Sequence, residues 1–183
     1  MCLTFMTNWK FFYNLLLGMD YVESGDLLSN MEVNKTAIPK ASVIFICAEV
    51  LEGLDFLHTN MIVYRDLKHE NILVHSGNYN YQIKVSHLIK YLDGHVKLSD
   101  FGLCKDLSEC EFTNSFCGTP GYIAPEIYET LDYNYTCDWW SYGVFVYELL
   151  TNGSMWYLCK ENSDGMLDDI GLKEVCNFIL KQK

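Results

Sequence analysis

Apolar and polar positions divide the chain into segments of different period. The first, FFYNLLLGM at residues 11–19, is a nearly unbroken apolar run that gives way to the acidic, glycine-containing ESGD. A short apolar run stopped by a turn signal predicts a buried strand, a turn at Gly25 and a short helix after it. From Pro39 to His58 the period becomes helical. Apolar residues recur at Ile44, Cys47, Leu51, Leu54 and Leu57, predicting a helix of several turns with that stripe toward a core. Three short pieces follow: YRDLKHENIL at 64–73, HVKLSDFG at 95–102 with alternation at Val96 and Leu98, and the glycine-punctuated SFCGTPGYIAPE at 115–126. They predict strands and loops. CDWWSYGVFVYELLT at 137–151 is apolar nearly all round, the pattern of a helix buried inside a domain. Residues 152–183 mix turn residues with one weak helical pattern, LKEVCNFIL.

At 183 residues, half of them apolar, the chain is long enough for one domain with a sizeable core. Lys and Arg number 13 against 24 Asp and Glu, a formal charge of −11. That balance argues against nucleic acid or anionic membrane as partner and is compatible with basic ones. The eight cysteines show no C-x-x-C pair and no zinc spacing, so they are expected to be reduced thiols of a cytoplasmic protein. The early apolar run is too short to span a bilayer, so no transmembrane segment is expected, nor a signal peptide.

YRDLKHENIL places an aspartate, a lysine and an asparagine at steps of two and three, directly after the chain's only arginine, Arg65. Phosphoryl transfer from ATP asks a protein mainly to position reactants and neutralise charge, which needs few groups, accurately placed. Asp66 is suited to accept the proton of an attacking hydroxyl, Lys68 to steady the transferring group, and Asn71 to hold Mg2+ through its amide oxygen. Asp100 in DFG supplies a second hard oxygen ligand, Phe101 can pack beneath it, and Gly102 leaves the backbone free to turn.

YRDLKHEN, DFG, APE at 124–126 and DWWSYG at 138–143, in that order, resemble a eukaryotic protein kinase. LTFMTNWKFF, YRDLK, FGLCK, FCGTPGYIAPE and DWWSYG together are similar to the AGC group of Ser/Thr kinases, and most to the protein kinase C branch of delta and theta type. The resemblance implies an α+β, protein-kinase-like fold, with a mainly helical C-terminal lobe and only a remnant of the N-terminal lobe. It implies ATP and Mg2+ as cofactors, with Met19, Asp20, Tyr21, Val22, Asp26 and Asp100 on the nucleotide side. Along the chain it implies a hinge region at 11–28, a catalytic loop at 64–71, an activation segment at 100–126 and a divergent part at 152–183. Thr119 would join Asp66 and Lys68 as a catalytic group. Ser115 occupies the position of an activation-loop phosphoacceptor for an upstream kinase, with Arg65 as the cation that receives its phosphate. Asp26 and Glu70 sit where related kinases place acidic residues facing basic side chains, which implies protein substrates with basic residues near the acceptor Ser or Thr.

Some features depart from the family pattern. No glycine-rich loop, strand lysine or helix glutamate of a complete kinase occurs in these residues, so the active form is expected to include sequence outside this chain. The alternative expectation is a catalytically silent lobe that acts as a binding module. The APE glutamate, Glu126, lacks its family partner because no arginine follows Arg65. The spacing from Asn71 to Asp100 is about twice what the resemblance implies, and residues 76–92 are either a surface insertion in a hairpin or translated intron. Gly121 and His69 stand at positions where the family usually has other residues.

Overall fold

A computed structural model describes residues 5–11, 14–19, 21–34, 38–75, 95–129 and 131–151, with the backbone alone for 5–19 and 33–34. Asp20, the stretch 76–92 and the segment 152–183 with its weak helical pattern lie outside the described residues. The chain forms two compact units, Met1–Phe56 with His69–Phe101, and Leu57–Lys68 with Gly102–Lys183.

In the first unit the apolar opening is not one strand but two. Strands β1 (Phe5–Phe11) and β2 (Asn14–Met19) pair antiparallel from Phe11↔Asn14 back to Phe5↔Met19, with an irregularity between Phe5 and Thr7. An apolar run with no alternation does not reveal where the chain reverses, which is why the sequence suggested a single element. Gly25 turns the chain at φ 70°, a region glycine adopts without steric cost. Helix α1 (Leu27–Asn34) follows, capped by Asp26, whose Oδ1 accepts from the Ser29 amide at 2.8 Å and Oδ2 from the Ser29 hydroxyl at 2.7 Å.

Helix α2 (Lys40–Thr59) occupies almost the expected span, but its buried stripe is shifted. Val43, Ile46, Val50, Leu54 and Leu57 are buried, whereas Ile44 is 61% and Leu51 42% exposed. Both sets have helical spacing and share Leu54 and Leu57. The apolar face is broad enough that periodicity alone permits either, and packing selects the one with β-branched residues inside. Strands β4 (Ile72–His75) and β5 (His95–Leu98) form an antiparallel ladder, with Ile72, Val74, Val96 and Leu98 buried and the alternate positions outward. The chain at Gly25 and Asp26 runs along the other edge of β4, where the Val74 amide donates to Gly25 O at 2.9 Å.

The second unit starts where α2 ends. Met61 takes φ 60° and turns the chain into β3 (Ile62–Val63), which pairs with β6 (Lys105–Asp106). Pro125 opens the short helix α3 (Pro125–Tyr128), a place that wastes no amide. Helix α4 (Thr136–Thr151) begins where Asn134 Oδ1 accepts from the Thr136 amide at 3.0 Å, and it buries Cys137, Asp138, Ser141, Val144, Phe145, Glu148 and Leu149. A core of Val63, Leu107, Ile123, Ala124, Ile127, Tyr133 and Cys137 joins β3, the loop after β6, α3 and the start of α4. Among the described residues no helix is long and apolar enough to cross a membrane, and none of the five described cysteines is in a disulfide.

Candidate active site

The second unit brings Asp66, Lys68 and Thr119 into one triangle. Thr119 Oγ1 donates to Asp66 Oδ1 at 2.6 Å, Lys68 Nζ donates to Thr119 Oγ1 at 2.8 Å, and Lys68 Nζ lies 3.1 Å from Asp66 Oδ2. Asp66 is buried and Lys68 half-buried, so the pair is shielded from water more than a surface ion pair. A hydroxyl that donates to one member and accepts from the other fixes both side chains without carrying charge itself. The arrangement presents a carboxylate base with an ammonium beside it, the pair of groups a proton-accepting and anion-steadying site needs.

What holds the loop in place lies at its back. Asp138, fully buried, accepts from the Tyr64 amide through Oδ2 and the Arg65 amide through Oδ1, both at 2.8 Å, and its Oδ2 is also 2.8 Å from His58 Nε2. Successive amides can converge on one carboxylate only if the chain between them curls, and Arg65 does so at φ 69°. Left-handed backbone costs a side-chain-bearing residue about 1–2 kcal/mol, so the carboxylate must supply more than that. Gly118 approaches the same turn from the activation segment. At φ 117°, a Cβ there would sit 3.1 Å from Arg65 O and 3.0 Å from Ile123 Cγ1.

Arg65 turns its side chain to the same segment. Its Nε donates to Leu103 O at 2.6 Å and its Nη1 to Tyr133 Oη at 3.2 Å, while Tyr133 Oη donates to Ser115 O at 2.5 Å. Ser115 itself is exposed, so Arg65 reaches its backbone at one remove, through a buried tyrosine. Burial pushes the Tyr133 phenol up to about 12, against the opposing pull of the Arg65 hydrogen bond. The Cys137 thiol is raised well above its ordinary value, first by burial and then by the carboxylates of Asp138 and Glu126, so it stays protonated. Glu126 is half-buried and has no ion pair among the described residues.

In the first unit the β4–β5 ladder fixes the backbone at Asn71 and Asp100. Asn71 immediately precedes β4, and its carbonyl accepts from the Ser99 amide at 2.9 Å and the Ser99 hydroxyl at 3.0 Å. Asp100 follows Ser99 at φ 51°, exposed, with Phe101 36% exposed after it. A carboxylate and an amide at the ends of paired strands are hard oxygen donors suited to Mg2+, and their donor set fits that ion when phosphate oxygens complete it. Among the described residues no cluster of three His, Cys, Asp or Glu makes a self-sufficient metal site. Tyr21 is 83% exposed and Val22 buried, while Met19 is described in its backbone only. Both Asp26 oxygens cap α1, and these bonds outweigh the upward push of partial burial to hold its pKa below the ordinary value. Glu70 is exposed.

The sequence reading assigned no role to His58, Tyr133, Asp138, Tyr122 or Glu148. Tyr122 Oη donates to Glu148 Oε2 at 2.5 Å, both buried, and Ser141 Oγ donates to Tyr122 O at 2.7 Å. A signal existed for two of them. Asp138 and Glu148 are carboxylates in a helix otherwise apolar nearly all round, and a buried carboxylate implies partners waiting for it.

Comparison with known proteins gives the family. Residues 2–182 match the family model described as protein kinase domain. The chain is 36% identical over 156 residues to protein kinase C zeta type of Oryctolagus cuniculus, covering 85% of this chain and 24% of that protein. It is 37% identical over 158 residues to protein kinase C delta type of Homo sapiens, covering 86% and 21%. It is 40% identical over 143 residues to cAMP-dependent protein kinase type 3 of Saccharomyces cerevisiae, covering 78% and 31%. The chain thus spans under a third of the length of these relatives.

Proposed function

The chain belongs to the protein kinase domain family, homologous to Ser/Thr kinases of the AGC group, and from that premise we propose that it forms the catalytic-loop part of a protein kinase C-like enzyme. Its reaction is transfer of the ATP γ-phosphoryl group to Ser or Thr hydroxyls of intracellular, cytoplasmic proteins. The observation that carries this reading is the Asp66–Lys68–Thr119 triangle.

Asp66 accepts the proton of the substrate hydroxyl as its oxygen attacks. Thr119 keeps the carboxylate turned for that transfer, and Lys68 neutralises charge on the phosphoryl oxygens in flight. Asn71 and Asp100 would hold Mg2+, which would supply charge neutralisation for the phosphates. Tyr21 and Val22, with Met19 and Asp20, would line the adenine side. Exposed Glu70, the cap residue Asp26 and the net charge of −11 support substrates with basic residues around the acceptor. Exposed Ser115 would be phosphorylated by an upstream kinase, and Arg65 and Tyr133, already linked to its carbonyl, would reorganise to take the phosphate.

The test is Mg-ATP-dependent phosphate transfer to a serine peptide flanked by arginines, with a peptide series in which those arginines are alanine. Loss of rate across the series supports the basic preference; equal rates remove it. A chain that binds a kinase or substrate partner yet transfers no phosphate under any Mg-ATP condition would turn the reading toward a silent binding lobe.

A further inference from the structure

We propose that Tyr133 is a positioning residue: with Ser115 unmodified, its phenol fastens the activation segment to Arg65, and this holds Thr119 against Asp66 and Lys68 before any phosphate is added. The consequence for phosphate transfer rests on the catalytic reading above. The fastening itself does not.

Thr119 has little latitude. Its hydroxyl lies 2.6 Å from Asp66 Oδ1 and 2.8 Å from Lys68 Nζ, and a backbone shift of about 1 Å would carry both beyond hydrogen-bonding range. The stretch that leads to it, residues 114–118, forms no helix or strand, and Asn114, Ser115 and Phe116 are exposed. The Phe116 ring meets Tyr128 edge-on at 5.8 Å while staying 63% exposed. Burial therefore does little to hold this stretch, and bonds to its backbone must. Tyr133 makes them. Its amide and carbonyl exchange two bonds with Thr113, both 2.8 Å, and its Oη donates to Ser115 O at 2.5 Å. Cys117 Sγ is 3.6 Å from the same Oη. One residue thus meets positions 113, 115 and 117, and Gly118 and Thr119 follow directly.

Tyr133 can serve as a fixed post because it is 2% exposed, in a core with Val63, Ile123, Ile127 and Cys137. A phenol has one proton and two lone pairs. The proton goes to Ser115 O, which leaves the lone pairs to accept from Arg65 Nη1 at 3.2 Å and from the Cys117 thiol. Donation from a guanidinium polarises the phenol and strengthens its own bond to the carbonyl. Burial, which raises the phenol pKa to about 12, keeps that proton in place at neutral pH. Arg65 is steadied from its other side by Leu103 O at 2.6 Å, and it has no ion pair among the described residues. A phosphate on the exposed Ser115 side chain would give the same guanidinium a charged acceptor. Phenol and phosphate would then tie one residue to one cation, the first by its carbonyl and the second by its side chain, so each covers for the loss of the other.

The experiment compares the parent with Tyr133→Phe, each made with Ser115 unmodified and with phosphoserine incorporated at position 115, in the longest form of the protein that carries these residues. One readout is Mg-ATP-dependent transfer to an arginine-flanked serine peptide. The other is amide exchange at Thr113 and Tyr122, whose amides donate to Tyr133 O and Thr119 O. With Ser115 unmodified, Tyr133→Phe should lower kcat and speed exchange at both amides, each by about tenfold, with the KM for ATP little changed. Phosphoserine should restore both quantities in Tyr133→Phe and change the parent much less. Val144 and Phe145 in α4 should exchange alike in all four proteins. Exchange in unmodified Tyr133→Phe equal to that of the parent would overturn the proposal. So would a loss of kcat or protection that phosphoserine leaves untouched, since a residue that only stabilises the fold behaves that way. If exchange follows the expected pattern while no form transfers phosphate, the fastening stands and the catalytic reading falls.

Discussion

Asp138→Ala removes the carboxylate that accepts from the backbone amides of Tyr64 and Arg65, just before Asp66. The side chain accepts two backbone amides and meets one imidazole nitrogen, each at 2.8 Å, in a site with no solvent exposure. A hydrogen bond to a charged group contributes about 1.5–3 kcal/mol, and each buried amide left unsatisfied costs about 1–3 kcal/mol. Two such amides set a gross loss of about 3–6 kcal/mol, against which the relieved burial of an ionised carboxylate must be offset. Release of Arg65 from its left-handed conformation returns a further 1–2 kcal/mol, roughly, so a net loss of about 3 kcal/mol is expected. For a chain of this size that is a fall in Tm of about 6–12 °C. Urea unfolding followed by far-ultraviolet circular dichroism should show the lower midpoint with the slope m unchanged. Asp138→Asn keeps one acceptor oxygen but turns an NH2 group toward the other amide, and should recover only part of the loss. A cost below about 1 kcal/mol in Asp138→Ala would refute the reasoning, because it would mean that the amides of Tyr64 and Arg65 find equivalent acceptors without the carboxylate.

Three other perturbations separate chemistry from scaffold. Thr119→Val removes the hydroxyl between Asp66 and Lys68, so phosphate transfer should fall by about one to two orders of magnitude with Tm little changed, while Thr119→Ser retains most activity; equal rates in Val and Ser variants would sever Thr119 from the triangle. Gly118→Ala places a methyl 3.1 Å from Arg65 O at φ 117°, and a loss of about 1–3 kcal/mol in urea unfolding is expected. Tyr133, raised from 10.0 to about 12 in the folded chain, binds its proton more tightly folded than unfolded. Its contribution to stability is therefore complete below pH 10 and lost as pH rises from there toward 12. Unfolding midpoints across that range should decline more steeply in wild type than in Tyr133→Phe, and parallel declines would contradict the assignment.

The sequence carried the short-range features because each has a local cause. Val96 and Leu98 alternate, so β5 was legible, and α4 was legible because its apolar residues leave no polar face. Asp66, Lys68 and Thr119 were legible as a group only through resemblance, since 51 positions separate Lys68 from Thr119 and no local rule links them. The buried stripe of α2 was misplaced because Ile44 and Leu51 obey the same period as Val43 and Val50, and only packing distinguishes them. Tyr133 was missed for a related reason. It joins Arg65 to Ser115 across 68 positions in one direction and 18 in the other, and a tyrosine in LDYNYT announces neither contact.

The most direct test of the account is steady-state transfer of radiolabelled phosphate from Mg-ATP to an arginine-flanked serine peptide, comparing Asp66→Asn with its parent. The assay is made on the longest form of the protein that carries these residues. The account requires transfer by the parent and a loss of several orders of magnitude in kcat for Asp66→Asn, with the KM for peptide little changed and the fold intact by circular dichroism. Equal kcat in the two proteins would contradict the assignment of Asp66 as the base and, with it, the catalytic reading of the triangle.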